Sequence, residues 1–248
     1  MGAIKWIFCD VDGCMTSEAS VRWDVPGLLK IADYCKRANG DPGLPQITLC
    51  TGRPQPYVEA LAKLLDIRVP LICENGAVVY TLRDNRARFA DEVEQYHLDA
   101  IVRLRRMIVA SILERFPQAV LQYGKHAQIS VFSPDPTIFD ALRPEVESAA
   151  GGDLHLFDIK PSQYYLNISL RVTNKGRTAN ALASAAGFSR SQIAAIGDTD
   201  GDLSLRESAA FLACPANATD AMKEHADYVS PHPELEGVLD ILEKISVL

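Results

Sequence analysis

Ile4-Lys5-Trp6-Ile7-Phe8-Cys9-Asp10-Val11-Asp12-Gly13 decides the fold. Residues 4–9 form a short, mostly apolar run without Pro or Gly, which reads as a strand buried on both faces. The run stops at two carboxylates and a glycine, the composition of a tight loop. Two later runs end the same way. Residues 47–50 lead into Thr51-Gly52-Arg53, and residues 193–196 lead into Gly197-Asp198. Helical spacing separates the first two runs: Leu28, Leu29, Ile31, Ala32 and Cys35 fall on one face, and a breaker-dense loop at 39–45 closes that helix. A second helix is predicted at 57–65, entered after Pro54 and Pro56, and a third short strand at 71–73. Strand-helix-strand alternation with continuously apolar strands implies an α/β fold: a doubly wound, Rossmann-like parallel sheet covered on both faces.

The middle of the chain has another rhythm. Residues 83–88 are charged and turn-like, and a long helical pattern follows from 95 to 116. Strands are predicted at 120–123 and 128–132, a helix at 137–149 stopped by Gly151-Gly152, and strands at 154–157 and 164–170. Helix-strand-strand occurs twice, the pattern of an inserted α+β domain. Alternation resumes with a helix at 175–186 and the strand at 193–196, and continues through 203–208, 210–212, 218–225 and 235–245. The expected organisation is a core of residues 1–81 and 173–248 around an insert of residues 82–172.

Composition narrows the function. The chain has 248 residues, 48% apolar and 23% charged, with 25 Lys and Arg against 32 Asp and Glu for a net charge of −7. The pI near 5.3 disfavours generic binding to a nucleic-acid backbone. No apolar stretch reaches the ~18 residues of a membrane span. Six cysteines (Cys9, Cys14, Cys35, Cys50, Cys73, Cys214) form no C-x-x-C pair, which disfavours zinc-ribbon and thioredoxin chemistry and fits a reducing, cytoplasmic setting. The N-terminal residues lack the features of a signal peptide, so Asn167-Ile-Ser169 and Asn217-Ala-Thr219 read as chance matches to the glycosylation acceptor. His97, His126, His155, His225 and His232 are scattered, and none reads as a metal ligand. The expected partner is a small phosphorylated molecule, not nucleic acid, a membrane or an obligate protein.

Ligands of open α/β sheets bind beyond the carboxyl ends of the strands. Standing there are Asp10, Asp12, Thr51, Gly52, Arg53, Asp198, Asp200 and Asp202, with Lys175 at a helix start. Crowded carboxylates repel unless a cation neutralises them. Oxygen donors without His or Cys select a hard ion, Mg²⁺ above all. Beside such an ion, Lys175 suits a phosphate as a point charge and Thr51 as a hydroxyl donor. Calcium loops, G-x-G-x-x-G, G-x-x-x-x-G-K-[ST] and G-x-S-x-G are not matched, so calcium-loop, nucleotide and serine-hydrolase readings lack their fingerprints.

Asp10-Val11-Asp12-Gly13, Thr51-Gly52-Arg53, Asn174-Lys175-Gly176 and Gly197-Asp198-x-x-x-Asp202 together resemble the four motifs of the haloacid dehalogenase (HAD) superfamily, in their usual order. Glu74-Asn75-Gly76-Ala77 and an insert between the second and third motifs are similar to its Cof-type, class IIB branch of sugar-phosphate phosphatases. Two positions depart from the family pattern: Cys14 stands where Thr is usual, and Gly201 where Asn is usual. The resemblance implies that Asp10 is a nucleophile forming an aspartyl-phosphate and that Asp12 is the general acid and base. It implies that Asp10, Asp198 and the carbonyl of Asp12 hold Mg²⁺. Thr51, Gly52 and Lys175 would bind phosphate, and Asp202 would orient Lys175 or a metal-bound water. The insert would be a cap that sets substrate choice, with Arg53, Asn75, Lys160 and Asn167 as substrate-contact candidates beside Lys125, His126 and Gln163. The expected activity is Mg²⁺-dependent hydrolysis of a small phosphomonoester, a sugar phosphate first. A phosphomutase on the same scaffold and a sugar-phosphate-binding protein without turnover are the rival expectations.

Overall fold

A computed structural model describes residues 3–18 and 21–247. The chain forms two compact units, Met1–Arg88 with Lys175–Leu248, and Phe89–Asn174.

The first unit is built on β1 (Trp6–Cys9), whose four residues are all buried. It pairs in parallel with β2 (Gln46–Leu49) on one side and β10 (Ile193–Ile196) on the other. Beyond β10 lie β11 (Phe211–Cys214) and β12 (Tyr228–Val229), also parallel, giving the order β12-β11-β10-β1-β2. Alternation across β1 supplies both faces. Trp6 and Phe8 enter one buried cluster with Ala179, Leu182, Ile193, Ala195, Leu205 and Leu212. The indole of Trp6 also donates to Thr48 Oγ1 at 2.5 Å, satisfying its one polar atom inside the core.

Helices flank the sheet as the alternation requires. α1 (Val25–Ala38) is capped by Asp24, whose side chain accepts from Gly27 N at 3.1 Å, and Pro26 lies in its first turn. α2 (Gln55–Leu65) follows Pro54 and ends at Asp66 in the left-handed region. α5 (Lys175–Ala185), α6 (Asp220–His225) and α7 (Glu234–Ile245) complete this unit.

A second small sheet joins β3 (Leu71–Cys73), β4 (Val78–Thr81) and β5 (Arg86–Phe89). β3 runs antiparallel to β4, and a single parallel bridge, Cys50 to Ile72, ties it to the end of β2. The charged stretch 83–88, expected as a turn, is therefore turn in its first half and strand in its second. Its strand residues are all exposed on the sheet's edge, where charge is tolerated and discourages further pairing. β5 carries the first unit past residue 81, the expected boundary.

The second unit is α+β. α3 (Gln95–Met107) runs on into a π-turn (Ile108–Ile112) and a 3₁₀ turn (Leu113–Arg115). β6 (Val120–Leu121), β7 (Gln128–Phe132), α4 (Phe139–Ala150), β8 (Phe157–Pro161) and β9 (Tyr165–Leu170) follow, and the antiparallel sheet has the order β6-β7-β9-β8. Residues 154–157, predicted as a strand, are mostly a 3₁₀ helix (Gly151–Leu156), with the strand displaced to β8. The glycine pair bends the chain, and only from Phe157 onward do buried and outward residues alternate in register with β9.

No helix among the described residues is long and apolar enough to cross a membrane.

Candidate active site

In the first unit β2 and β10 lie on opposite sides of β1, so the strand order reverses between β1 and β10. Such a switch point is where open α/β sheets leave a crevice for ligand. Asp10 follows β1 and Asp198 follows β10, which places the two carboxylates on either side of it.

Asp10, Asp198 and Asp202 are all buried, and one oxygen of each lies within 4.8 Å of the others. Lys175, at the start of α5, bridges two of them: its Nζ stands 2.9 Å from Asp10 Oδ2 and donates to Asp202 Oδ1 at 2.7 Å. The second oxygen of Asp202 accepts from Asp198 N and Thr199 N, each at 3.1 Å, and from Thr199 Oγ1 at 3.2 Å. Asp202 is thus saturated and ties Lys175 to the turn after β10. Asp10 Oδ1 accepts from Val11 N at 2.7 Å. Asp198 differs: its Oδ1 is buried without a hydrogen-bond partner.

The charge count explains the electrostatics. Burial, then the charge of Asp202, pushes the Asp10 carboxyl up to about 8, with Lys175 pulling the other way. Burial, then Asp10 and Asp202, pushes Asp198 up to about 9. For Lys175 burial opposes the charge, but Asp10 and Asp202 outweigh it and hold the ammonium well above its ordinary range. One ammonium among three carboxylates leaves negative charge uncompensated. An all-oxygen donor set, with an orphaned carboxylate oxygen inside it, fits a hard divalent cation.

Backbone geometry permits this crowding. Gly13 has φ +78°, and a Cβ there would lie 1.9 Å from Asp198 Oδ2, so only glycine lets that carboxylate lie over the loop. A Cβ on Gly176 would lie 1.9 Å from the Ser204 carbonyl oxygen, so α5 begins in direct backbone contact with the segment carrying Asp202.

The other motif residues frame this cluster. Thr51 is fully buried; its Oγ1 accepts from Arg53 N at 3.1 Å, and its carbonyl accepts from Asn75 N at 3.0 Å. Gly52 lies against the Asn75 side chain, and Glu74 and Asn75 both adopt positive φ, at 50° and 54°, to make that turn. Thr178 Oγ1 donates to the Gly76 carbonyl at 2.7 Å, fastening α5 to it. The Asp12 carboxylate stands apart from the three buried acids and is gripped by Arg53, whose Nε donates to Oδ1 and Oδ2 at 3.0 and 2.8 Å and whose Nη2 donates to Oδ1 at 2.5 Å. Asp200 is exposed and accepts from Thr219 Oγ1 at 2.8 Å, a loop contact. Cys14 is fully buried; burial first, and the nearby Asp198 charge second, push its thiol well up and keep it neutral.

Asn217 escaped the sequence reading. Its Nδ2 donates to the Gly13 carbonyl at 2.9 Å, and its Oδ1 accepts from Glu234 N at 2.6 Å, joining the first loop to the start of α7. The available signal was position: Asn217 follows the carboxyl end of β11, the same edge as the acids. Thr199 and Thr178 carried no signal beyond their closeness to motif residues.

The remaining candidates lie in the second unit. Lys160 is exposed and pairs with Asp158 at 2.8 Å. Asn167, opposite Lys160 in register, accepts from Ser130 Oγ at 2.6 Å and Gln128 Nε2 at 3.2 Å. Lys125 is buried and donates to Ser130 Oγ at 2.6 Å, whereas His126 and Gln163 are exposed.

A family model of haloacid dehalogenase-like hydrolases matches residues 7–113 and 108–242. The phosphoglycolate phosphatase of Archaeoglobus fulgidus is 28% identical over 211 residues, 82% of this chain and 83% of that protein. Among solved structures, a HAD/COF-like hydrolase from Plasmodium vivax aligns with TM-score 0.74 and 18% identity over 99% of this chain and 96% of that one. The sucrose-phosphatase of Synechocystis sp. PCC6803 aligns with TM-score 0.64 and 18% identity over 98% of both chains. With strand-end acids, a helix-start lysine and this match over nearly its whole length, the chain belongs to the haloacid dehalogenase-like hydrolases. It is an enzyme of that family, with phosphatases among its relatives, and it shares the fold of the HAD/COF-like hydrolase.

Proposed function

We propose that the enzyme is a Mg²⁺-dependent phosphatase that cleaves a small phosphomonoester through an aspartyl-phosphate on Asp10. The observation that carries this reading is the Lys175 ammonium between Asp10 and Asp202, next to the orphaned oxygen of Asp198. A nucleophilic carboxylate needs its charge balanced when it meets a phosphate dianion, and the Lys175 ammonium, 2.9 Å from Asp10 Oδ2, supplies that charge.

Asp10 attacks phosphorus, and the P–O bond to the leaving group breaks. The departing alkoxide takes a proton from the Asp12 carboxyl. Asp12 then takes a proton from water, and the resulting hydroxide attacks the aspartyl-phosphate, releasing inorganic phosphate and restoring Asp10. Thr51 and Lys175 hold the transferring group in line, and positioning with electrostatics supplies most of the acceleration. The carboxylates of Asp10 and Asp198 and the carbonyl of Asp12 would hold Mg²⁺, which would supply positive charge to offset that of the phosphoryl group.

Two substrate classes draw support from the relatives. A sugar phosphate suits the likeness to sucrose-phosphatase, and a phosphorylated hydroxy acid suits the likeness to phosphoglycolate phosphatases. Substrate choice is assigned to the polar face of the four-stranded sheet, where Lys160 and Asn167 lie opposite one another. Phosphate release from a panel of sugar phosphates and phosphoglycolate, with Mg²⁺ and with EDTA, tests the reading. Release that needs Mg²⁺ supports it. Full release in EDTA removes the metal from it, and transfer of phosphate to a second sugar hydroxyl without release makes the enzyme a mutase.

A further inference from the structure

Asp12, two residues after Asp10, stands outside the buried cluster, and a chain of three side chains fixes it there. Arg53 holds both of its carboxylate oxygens, through Nε and Nη2. Both partners are largely sheltered, with side-chain exposures of 17% and 20%. The guanidinium carbon of Arg53 sits 5.1 Å from the centre of the Tyr57 ring, in cation–π range. Tyr57 is braced in turn by Trp23, whose ring meets it edge-on at 5.8 Å and 79°.

These contacts constrain different motions. The carboxylate fixes the guanidinium within its plane, and the phenol face blocks movement out of it. The Arg53 backbone is also pinned: its N–H donates to Thr51 Oγ1, and its carbonyl accepts from Glu74 N at 3.1 Å. Trp23 lies just before α1 and Tyr57 in the first turn of α2, so the brace is anchored on two helices. Nothing in the phosphoryl-transfer chemistry requires an aromatic pair here, and the exposed edge of Trp23 is otherwise unexplained.

We propose that Tyr57, braced by Trp23, is a positioning residue that acts through Arg53 to hold the Asp12 carboxyl in line for proton transfer. This rests on the reading of Asp12 as general acid and base. Loss of the ring frees the guanidinium to tilt, and the carboxyl swings with it; the phosphate-binding groups are untouched. A displacement of about 1 Å in such a group can cost ~10²-fold in rate.

The test is steady-state kinetics of wild type, Tyr57→Leu, Tyr57→Phe and Trp23→Leu on the best phosphomonoester found, with folding checked by thermal melting. Tyr57→Leu should lower kcat roughly tenfold or more with KM unchanged. Tyr57→Phe keeps the ring and should stay near wild type, and Trp23→Leu should fall between. In an Asp12→Asn background Tyr57→Leu should have no further effect, because the group it positions is gone. Four results overturn the proposal: unchanged kcat in Tyr57→Leu, a change in KM alone, an equal loss in Tyr57→Phe, or a full extra loss in the Asp12→Asn background. Wild-type protein that releases no phosphate from any ester overturns the phosphatase reading instead, so the two failures are distinguishable.

Discussion

Each unit buries a lysine in a polar network, and the two networks are built on opposite terms. In the first unit Lys175 faces carboxylates, and three acids crowd around one ammonium. In the second, Lys125 donates to a hydroxyl, and Ser130, Asn167 and Gln128 pass hydrogen bonds between neutral groups. The first network carries surplus charge that only a ligand or a proton can settle. The second orders a sheet face through hydroxyl and amide hydrogen bonds, and its one buried orphan, Gln128 Oε1, is a neutral amide oxygen where that of the first is a carboxylate oxygen. On the proposed function, chemistry at phosphorus falls to the charged network and recognition to the second one.

Four experiments break or sharpen this contrast, beginning with the largest effect. Asp10→Asn should reduce phosphate release by roughly 10⁴-fold or more, as loss of a nucleophile does. Its melting temperature in metal-free buffer at pH 8 should not drop, because the substitution relieves a buried like-charge contact. Wild-type turnover in this variant would remove Asp10 from the mechanism and the contrast with it.

The two lysines can then be compared directly. Lys175→Met leaves buried carboxylates without their cation and should cost about 3–5 kcal/mol. Lys125→Met leaves a hydroxyl one donor short and should cost about 1–3 kcal/mol. Urea unfolding followed by far-UV circular dichroism reads both losses; Trp6 and Trp23 both belong to the first unit, so their fluorescence gives a separate reading of Lys175→Met. Equal losses would show that surplus charge does not set the first network apart.

The third experiment uses protons. Asp10 and Asp198 keep protons in the fold up to about 8 and 9, whereas the unfolded chain releases them near 3.8. Between those values the folded state binds more protons, so metal-free stability should fall as pH rises from 5 towards 9. Mg²⁺ should reverse the fall, by about 2.7 kcal/mol at a hundredfold excess over its Kd, and most strongly at the alkaline end. Melting curves across pH with Mg²⁺ or EDTA decide it; curves that coincide would leave the acids without a cation partner.

The smallest effect is expected at the network of the second unit. Asn167→Ala should shift the ratio of kcat/KM between a sugar phosphate and phosphoglycolate by about tenfold. Its kcat with the better substrate should hold. An unchanged ratio would take substrate choice away from this sheet face.

Legibility in the sequence divides along the same line. Asp10, Thr51 and Asp198 could be read because continuous apolar runs announce buried parallel strands, and chain topology brings their carboxyl ends to one edge. Lys175 was visible as a polar residue at a helix start. The Lys125 network was only partly readable: Lys125 and Asn167 stood out as polar positions, but Ser130 and Gln128 are ordinary members of an alternating strand. Their meeting depends on which strands pair, and β7 beside β9 is a matter of register. The Arg53 grip on Asp12 was equally hidden, since side-chain direction decides it. Boundaries slipped where local rules compete, as at residues 154–157, where glycine bending overrode an apolar run.

The order β2-β1-β10 has a consequence for synthesis. The whole inserted unit and α5 lie between β1 and β10 in the chain, yet the two strands are direct neighbours, Trp6 beside Ile193. During translation the β10 edge of β1 stays unpaired until β10 has emerged, and such an edge invites association with other chains. A nascent chain that has not yet reached β10 therefore holds Asp10 without Asp198, and the three buried acids meet only once the two strands have paired.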